Sequence, residues 1–186
     1  MEVLSTELSA VNVFIAAIEL LIMGILLQAG FSKLSGENQS YYAKTIQTYG
    51  VRSQAVASLL PRLIGAVELI ICALILVPIS AKLGVLLAGS LFSIYFFAFV
   101  KQILQGKADM NCGCGGPGAD LKISPMLLLR NAALIGLCWF AISTQTVSLG
   151  IAWVLVIPLA AALGLVYLSS DQLIANQQKI QILGNS

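Results

Sequence analysis

The chain has 186 residues, of which 59% are hydrophobic and 10% are charged, and its mean hydropathy is +0.94. Soluble domains contain about 45–50% apolar and about 25% charged residues, so this composition indicates a polytopic membrane protein with a single domain over residues 1–186. The net charge of +2 is too small to suggest nucleic-acid binding, and the absence of histidine excludes histidine-dependent catalysis and histidine-ligated metals.

Five apolar segments are long enough to cross a bilayer as helices, because about 20 residues span the hydrocarbon core. The predicted spans are residues 11–31, 59–78, 83–104, 125–143 and 151–168. The first ten residues lack the basic start and the cleavage site of a signal peptide, so the first span is expected to remain in the membrane.

Local patterns refine the segments next to these spans. Tyr42, Ile46 and Tyr49 are spaced i, i+4, i+7 in the longest polar segment, which predicts a short amphipathic helix at the membrane interface. Ser124 followed by Pro125 is typical of a helix N-cap and first helical position.

Two further expectations concern span boundaries. Pro61 lies near the predicted start of the second span, where a missing backbone N–H costs little. The chain after Asp171 is polar and is expected to lie along the membrane surface.

The loop after the third span contains the pair Cys112 and Cys114, separated by Gly113. Two thiols at this spacing can form a small, strained disulfide, bind a soft metal, or exchange with a partner's disulfide. A metal is not expected, because zinc requires about four ligands and this loop supplies two thiolates. Cys72 and Cys138 lie inside spans, where packing is favoured over a second redox pair.

Ionisable residues inside spans are candidates for function, because burying a charge in lipid costs at least about 2.5–3.5 kcal/mol. Glu68 and Arg130 lie at similar predicted depths, so the arginine is expected to reach the glutamate. This pair either fixes helix register or forms a proton path or a polar anchor for a ligand headgroup. Arg62 and Lys33 are expected at the same polar mouth, whereas Glu19 is deeper and has no evident partner.

Four sequence elements belong to one pattern: the segment 29–34, Glu68, the segment 109–115 with its Cys-Gly-Cys motif, and the Leu-Arg-Asn segment 129–131. Together they resemble the methylamine-utilisation MauE family, a redox-associated branch of the DoxX-like membrane proteins. The resemblance covers about residues 11–170. This sequence departs from the family where Gly115, Gly116 and Pro117 follow the cysteines, since the family often has Phe and then Gly there.

The resemblance implies an all-α transmembrane bundle with a four-helix core and an additional fifth helix. It also implies exchange between Cys112 and Cys114 and a thioredoxin-fold partner during maturation of exported proteins. A fold-level analogy with DsbB and vitamin K epoxide reductase adds a quinone as the expected cofactor. The third span carries an aromatic cluster of Phe92, Tyr95, Phe96, Phe97 and Phe99, and the quinone headgroup is expected beneath it. The candidate binding residues are Glu68, Arg62, Arg130, Asn131 and Lys33.

Orientation is the point on which charge and chemistry disagree. Nine of the ten Lys and Arg residues lie on the side of the cysteine loop and only Lys82 lies opposite, so the positive-inside rule places that loop in the cytoplasm. Disulfide chemistry instead favours the extracytoplasmic face of a bacterial inner membrane, which is the orientation we predict.

Two other functions are compatible with the sequence. One is a non-catalytic assembly factor that docks a redox partner. The other is a small transporter that uses Glu68 and Glu19 along its pathway.

Overall fold

The computed structural model describes residues 10–106, 123–143 and 153–184. Within these ranges the regular structure is helical, apart from turns, and a 3₁₀ helix over Gly36–Asn38 precedes the second α-helix. The α-helices are α1 (Ala10–Leu34), α2 (Gln39–Thr48), α3 (Gln54–Leu76), α4 (Ala81–Leu104), α5 (Pro125–Ser143) and α6 (Trp153–Gly184).

Five of these helices are long and apolar enough to cross a membrane, and α2 is the short exception. The prediction of an all-α polytopic protein with five spans is therefore confirmed. The amphipathic helix is also present as α2, and the N-cap is confirmed because the Leu127 backbone N–H donates to Ser124 Oγ at 3.4 Å.

The third helix begins earlier than expected. α3 starts at Gln54 rather than near residue 59, so Pro61 lies inside the helix and is buried. The expectation that this proline marks a helix start is wrong. The polar residues before the apolar segment continue the helix, because a helix need not end where the hydrocarbon core ends.

Four helices form the core of the bundle. α1 packs against α3, α3 against α4, and α4 against α5, while α1 also contacts α5 and so closes the ring. α6 packs on the outside of α1 and is the additional helix. The central cluster combines buried apolar residues from all four core helices, including Ile18, Ile22, Ile71, Val85, Phe92 and Cys138.

Glycines set the distance between α1 and α3. A Cβ atom built on Gly65 would lie 3.0 Å from the Gly30 backbone oxygen, and one built on Gly30 would lie 3.0 Å from the Leu69 side chain. Small residues let membrane helices approach closely. This contact holds the last turn of α1, which carries Lys33, directly against α3.

The last helix extends well beyond the predicted span, which ended at residue 168. α6 continues to Gly184, and Ile174 is buried against Phe99, Ile123 and Leu127. The expectation of a surface segment after Asp171 is wrong for this part of α6. Two contacts hold the helix on the bundle: Asp171 pairs with the half-buried Arg130, and Ile174 packs in the apolar cluster.

The C-terminal ends of α1 and α4, the N-terminal ends of α3 and α5, and the second half of α6 meet at one end of the bundle. We call it the loop end, because Gly106 and Ile123 there are the described residues nearest to the cysteine loop. Ile123 packs at this end with Phe99 and Ile174, and Tyr49 and Ile103 pack against the same cluster.

Candidate functional site

A buried ion pair joins α1 and α3 near the loop end. Lys33 Nζ lies 2.7 Å from Glu68 Oε1 and 2.9 Å from Oε2, and the Tyr95 hydroxyl of α4 donates to Oε1 at 2.6 Å. Glu68 is 0% exposed and Lys33 is 6% exposed. Three helices therefore meet at one carboxylate that accepts three hydrogen bonds, and we call Lys33, Glu68 and Tyr95 the buried cluster.

The cluster retains one hydrogen-bond donor that no described residue accepts. A lysine ammonium group has three N–H donors, and in the described part of the chain two of them go to Glu68. Lys33 Nζ also lies 5.8 Å from the centre of the Tyr95 ring, within the range of a cation–π contact. The ammonium group can thus bind an additional acceptor without giving up the ion pair.

A second ion pair links α5 to α6. An Arg130 guanidinium nitrogen donates to Asp171 Oδ1, and the guanidinium carbon lies 5.0 Å from the centre of the Tyr167 ring. The expected contact between Arg130 and Glu68 is therefore wrong, because Glu68 pairs with Lys33 instead. The prediction failed because α6 was expected to end before Asp171, which left Glu68 as the nearest acid for the arginine.

The two ion pairs border one polar cavity of about 250 Å³. Its polar lining includes Lys33, Glu68, Tyr95, Arg130, Asn131 and Asp171. Asn131 is 3% exposed, and its Nδ2 has no hydrogen-bond partner among the described residues. An unpartnered buried donor in a polar cavity calls for an acceptor from water or a ligand.

Four of the five predicted binding residues thus lie around this cavity, and Arg62 does not. Arg62 is exposed on α3 and borders neither of the cavities described here. It precedes Glu68 by six positions, and at 3.6 residues per turn that separation rotates it away from the glutamate's face.

A second cavity, which we call the apolar chamber, lies beneath α2 and also measures about 250 Å³. α2 contributes Tyr42 and Ile46, α3 contributes Pro61 and Ile64, and α4 contributes Ile94, Ala98 and Phe99. Lys33 and Tyr95 border this chamber as well as the polar cavity. The two side chains therefore separate an apolar space from a polar one.

The chamber was not predicted, and Tyr95 was expected only as one aromatic residue of the third span's cluster, without a role for its hydroxyl. The i, i+4, i+7 spacing of the α2 residues predicted an apolar face, and that face is the chamber's outer wall. Tyr95 belongs to a run of aromatic residues in the third span, where its hydroxyl is the one feature that distinguishes it from the neighbouring Phe96 and Phe97.

Cys112 and Cys114 lie outside the described residues. Cys72 and Cys138 are buried free thiols in the central cluster, with Cys72 Sγ 3.5 Å from the Met23 carbonyl oxygen and Cys138 packed over Gly89. These contacts favour the packing interpretation of both. Glu19 is half-buried in α1 and borders neither cavity.

Five helices of the bundle are apolar and long enough to span a membrane, and the buried cluster joins three of them. These features define a multi-pass integral membrane protein. Residues 11–144 match the family described as "Methylamine utilisation protein MauE", and the chain belongs to that family. The match covers α1 to α5. It therefore includes the whole four-helix core and all three residues of the buried cluster. No curated protein and no solved structure gives a match.

Proposed function

We propose that this chain is an integral-membrane thiol–disulfide redox protein. Its Cys112–Cys114 pair exchanges electrons with a thioredoxin-fold partner and passes them to a lipid-soluble quinone. The observation that carries the proposal is the buried cluster of Lys33, Glu68 and Tyr95 at the loop end of the bundle. Membership of the MauE family supports it, because the cluster lies within the part of the chain that matches.

The chemistry needs no metal. A thiolate of the reduced partner attacks the Cys112–Cys114 disulfide and forms a mixed disulfide, which the partner's second thiol resolves. The partner leaves as a disulfide, and Cys112 and Cys114 are left as thiols. The two thiols then give two electrons and two protons to the quinone, which becomes a quinol, and their disulfide forms again.

The buried cluster suits the quinone half of this cycle. A quinone carbonyl that accepts electrons develops negative charge, which a preorganised cation and hydrogen-bond donor stabilise. Lys33 supplies both, since one of its N–H groups is not taken by Glu68. Arg130 and Asn131 supply polar groups in the adjoining cavity, where water can bring protons to the cluster. Arg62 is left out of the proposed site because it is exposed elsewhere on α3.

The proposed setting is a bacterial inner membrane with the cysteine loop on its extracytoplasmic side, where disulfides form and persist. The family's description concerns methylamine utilisation. We propose that the thioredoxin-fold partner carries oxidising equivalents from this chain to an exported protein of that process. The excess of Lys and Arg on the loop side opposes this orientation, and a labelling experiment decides it.

The proposal is tested with purified protein in lipid nanodiscs, with reduced thioredoxin as the electron donor and decylubiquinone as the acceptor. We expect quinone reduction that depends on protein concentration and is lost in Cys112→Ser and in Cys114→Ser. Cys138→Ala is the matched control and retains turnover, because Cys138 is a packing residue of the central cluster.

The same variants and preparations separate the two other functions when partner binding and transport are measured as well. An assembly factor would bind the thioredoxin-fold partner equally well in Cys112→Ser and would reduce no quinone. A transporter would be insensitive to thiol alkylation and inactive in Glu68→Gln. The structure gives the transporter no specific support, since Glu19 borders neither cavity that Lys33 borders.

A further inference from the structure

Lys33 and Tyr95 border two cavities of similar size and opposite character. The polar cavity contains two ion pairs and exposed glutamines at Gln28 and Gln172. Among the described residues, those that line the apolar chamber include no ionisable side chain besides Lys33 and the tyrosines. A ligand that reaches the cluster therefore approaches it from one of two chemically different sides.

One wall of the apolar chamber reaches the outer surface of the helical bundle. Ile94, which lines it, is 64% exposed on the outer side of α4. Leu63 and Val67 on the neighbouring surface of α3 are 53% and 46% exposed. These residues belong to membrane-spanning helices, so a molecule dissolved in the bilayer can enter between α3 and α4 without crossing water.

We propose that a lipid-soluble quinone binds in the apolar chamber, with its ring against Lys33 and Tyr95 and its hydrocarbon chain in the bilayer between α3 and α4. The inference rests on the proposed function for the identity of the ligand. It adds the site, the route of access and the side of the buried cluster that the quinone touches.

The apolar chamber meets two physical requirements of a quinone site. Ligand pockets for drug-sized molecules begin at about 300 Å³, so a space of this size suits one ring with its chain left outside. A quinone already dissolved in lipid gains little from apolar transfer, because lipid tails are as apolar as the chamber walls. The affinity of the quinone must therefore come from packing and from a hydrogen bond donated by Lys33. Lys33 and Tyr95 both line the chamber.

The polar cavity is a poorer site for an uncharged ring. A quinone there would displace water from Arg130, Asp171 and Asn131 and offers only two carbonyl acceptors in return. Displacing ordered water without replacing its hydrogen bonds lowers affinity. A water molecule in that cavity can accept a hydrogen bond from Asn131 Nδ2, which has no partner among the described residues, at no such cost.

Two alanines provide a matched pair of variants. Ala98 lines the apolar chamber and Ala29 lines the polar cavity, and both are half-buried in membrane-spanning helices. Ala98→Phe fills the chamber and Ala29→Phe fills the polar cavity. The dissociation constant of decylubiquinone is measured for both variants in nanodiscs, after size-exclusion chromatography and a thermal melt have shown that each variant is folded.

We expect Ala98→Phe to raise the dissociation constant at least about tenfold and Ala29→Phe to change it by less than about twofold. The reverse order of effects, equal losses in both variants, or no loss in either would overturn the assignment. If Ala98→Phe does not fold, the wild-type protein decides the question by photolabelling with an azido derivative of a short-chain ubiquinone.

Label on residues 60–64 and 94–98 supports the chamber, and label on residues 167–172 contradicts it. Decanol at equal concentration distinguishes a quinone from a lipid chain, since full displacement by decanol would show that the chamber binds hydrocarbon only. Binding is measured here without a thiol donor. A failure of Cys112 and Cys114 to turn over would therefore defeat the proposed function and leave the site assignment intact.

Discussion

Lys33 and Glu68 lie 35 positions apart in the chain, on different helices, and form an ion pair of two hydrogen bonds in which the carboxylate is completely buried. Removing charges from water costs several kcal/mol per ion, and a close partner with further hydrogen bonds offsets this cost. Tyr95 supplies one such bond. The pair therefore fixes the register of α1, α3 and α4 and also provides the charge that the proposed redox chemistry uses.

Removing one partner of this pair should destabilise the protein more than removing both. Glu68→Leu leaves the Lys33 ammonium buried without its counter-charge, and we expect a loss of about 3–5 kcal/mol in the free energy of unfolding. The double variant Lys33→Met with Glu68→Leu should lie within about 1 kcal/mol of the wild type, because well-packed apolar side chains often replace a buried pair without loss. Denaturant unfolding in detergent micelles measures both.

Glu37→Gln is the control for this experiment, since Glu37 is exposed and should change stability by less than about 0.5 kcal/mol. The folded double variant should still bind decylubiquinone at least about tenfold more weakly, because the Lys33 donor is gone. Equal stability of Glu68→Leu and the wild type would refute the structural importance of the pair. Unchanged quinone binding in the double variant would remove Lys33 from the proposed site.

The glycine contact between α1 and α3 should be as sensitive as the ion pair that it positions. Gly65→Val places two methyl groups against the Gly30 carbonyl and the Lys33 side chain, where a single Cβ is already within 3.1 Å of both. Overpacking of this kind costs about 1–3 kcal/mol. Gly24→Val in α1 is the matched control, because a Cβ built there has no neighbour within 4 Å apart from the adjacent backbone of its own helix. A similar loss of unfolding free energy in the two variants would contradict the close helix contact.

Asp171 should hold the second half of α6 on the bundle. Asp171→Asn removes the ion pair with Arg130, whose hydrogen bond between charged groups is worth about 1.5–3 kcal/mol. Backbone amide exchange of residues 169–177 should accelerate, as followed by mass spectrometry in detergent. Asn176→Ala, at an exposed position of the same helix, should leave exchange unchanged. Equal protection in Asp171→Asn would show that apolar packing around Ile174 is sufficient.

Cys72 and Cys138 should be dispensable for redox turnover. Each is buried and free, and the Cys72 thiol contacts a backbone carbonyl of α1. We expect the double variant Cys72→Ala with Cys138→Ala to lose about 1 kcal/mol of stability per site and to keep quinone reduction within about twofold of the wild type. Loss of turnover in this variant, with the fold intact by thermal melt, would indicate a second redox pair within the bundle.

The spans could be predicted from the sequence because each is a long apolar segment with few charges, and such a signal is local. The ends of the helices could not be predicted in this way. Gln54 and Asp171 are polar, which in the sequence suggests positions outside the spans, but contacts with other residues hold both in helices. The same limit applies to Pro61, which is a plausible helix start in the sequence and a buried interior residue in α3.

The residues of the site could be predicted more readily than their pairing. Charged side chains in or next to apolar segments are visible in any sequence, and Lys33, Glu68 and Arg130 are candidates on that ground. Asn131 is an uncharged candidate from the Leu-Arg-Asn segment. Which acid meets which base depends on helix rotation and on the length of α6, and both are set by tertiary packing. The role of the Tyr95 hydroxyl could not be predicted, because an aromatic residue in a membrane span is ordinarily explained by packing.

The most direct test of the whole account is thiol labelling of intact cells with a membrane-impermeant maleimide, with and without prior reduction. Cys72 and Cys138 are 3% and 0% exposed, so in the folded protein labelling reports on Cys112 and Cys114. The account predicts a gel shift only after reduction, and no shift in the variant Cys112→Ser with Cys114→Ser. Labelling that requires permeabilised cells would place the loop in the cytoplasm, in agreement with the charge distribution, and would contradict a role in exported disulfides.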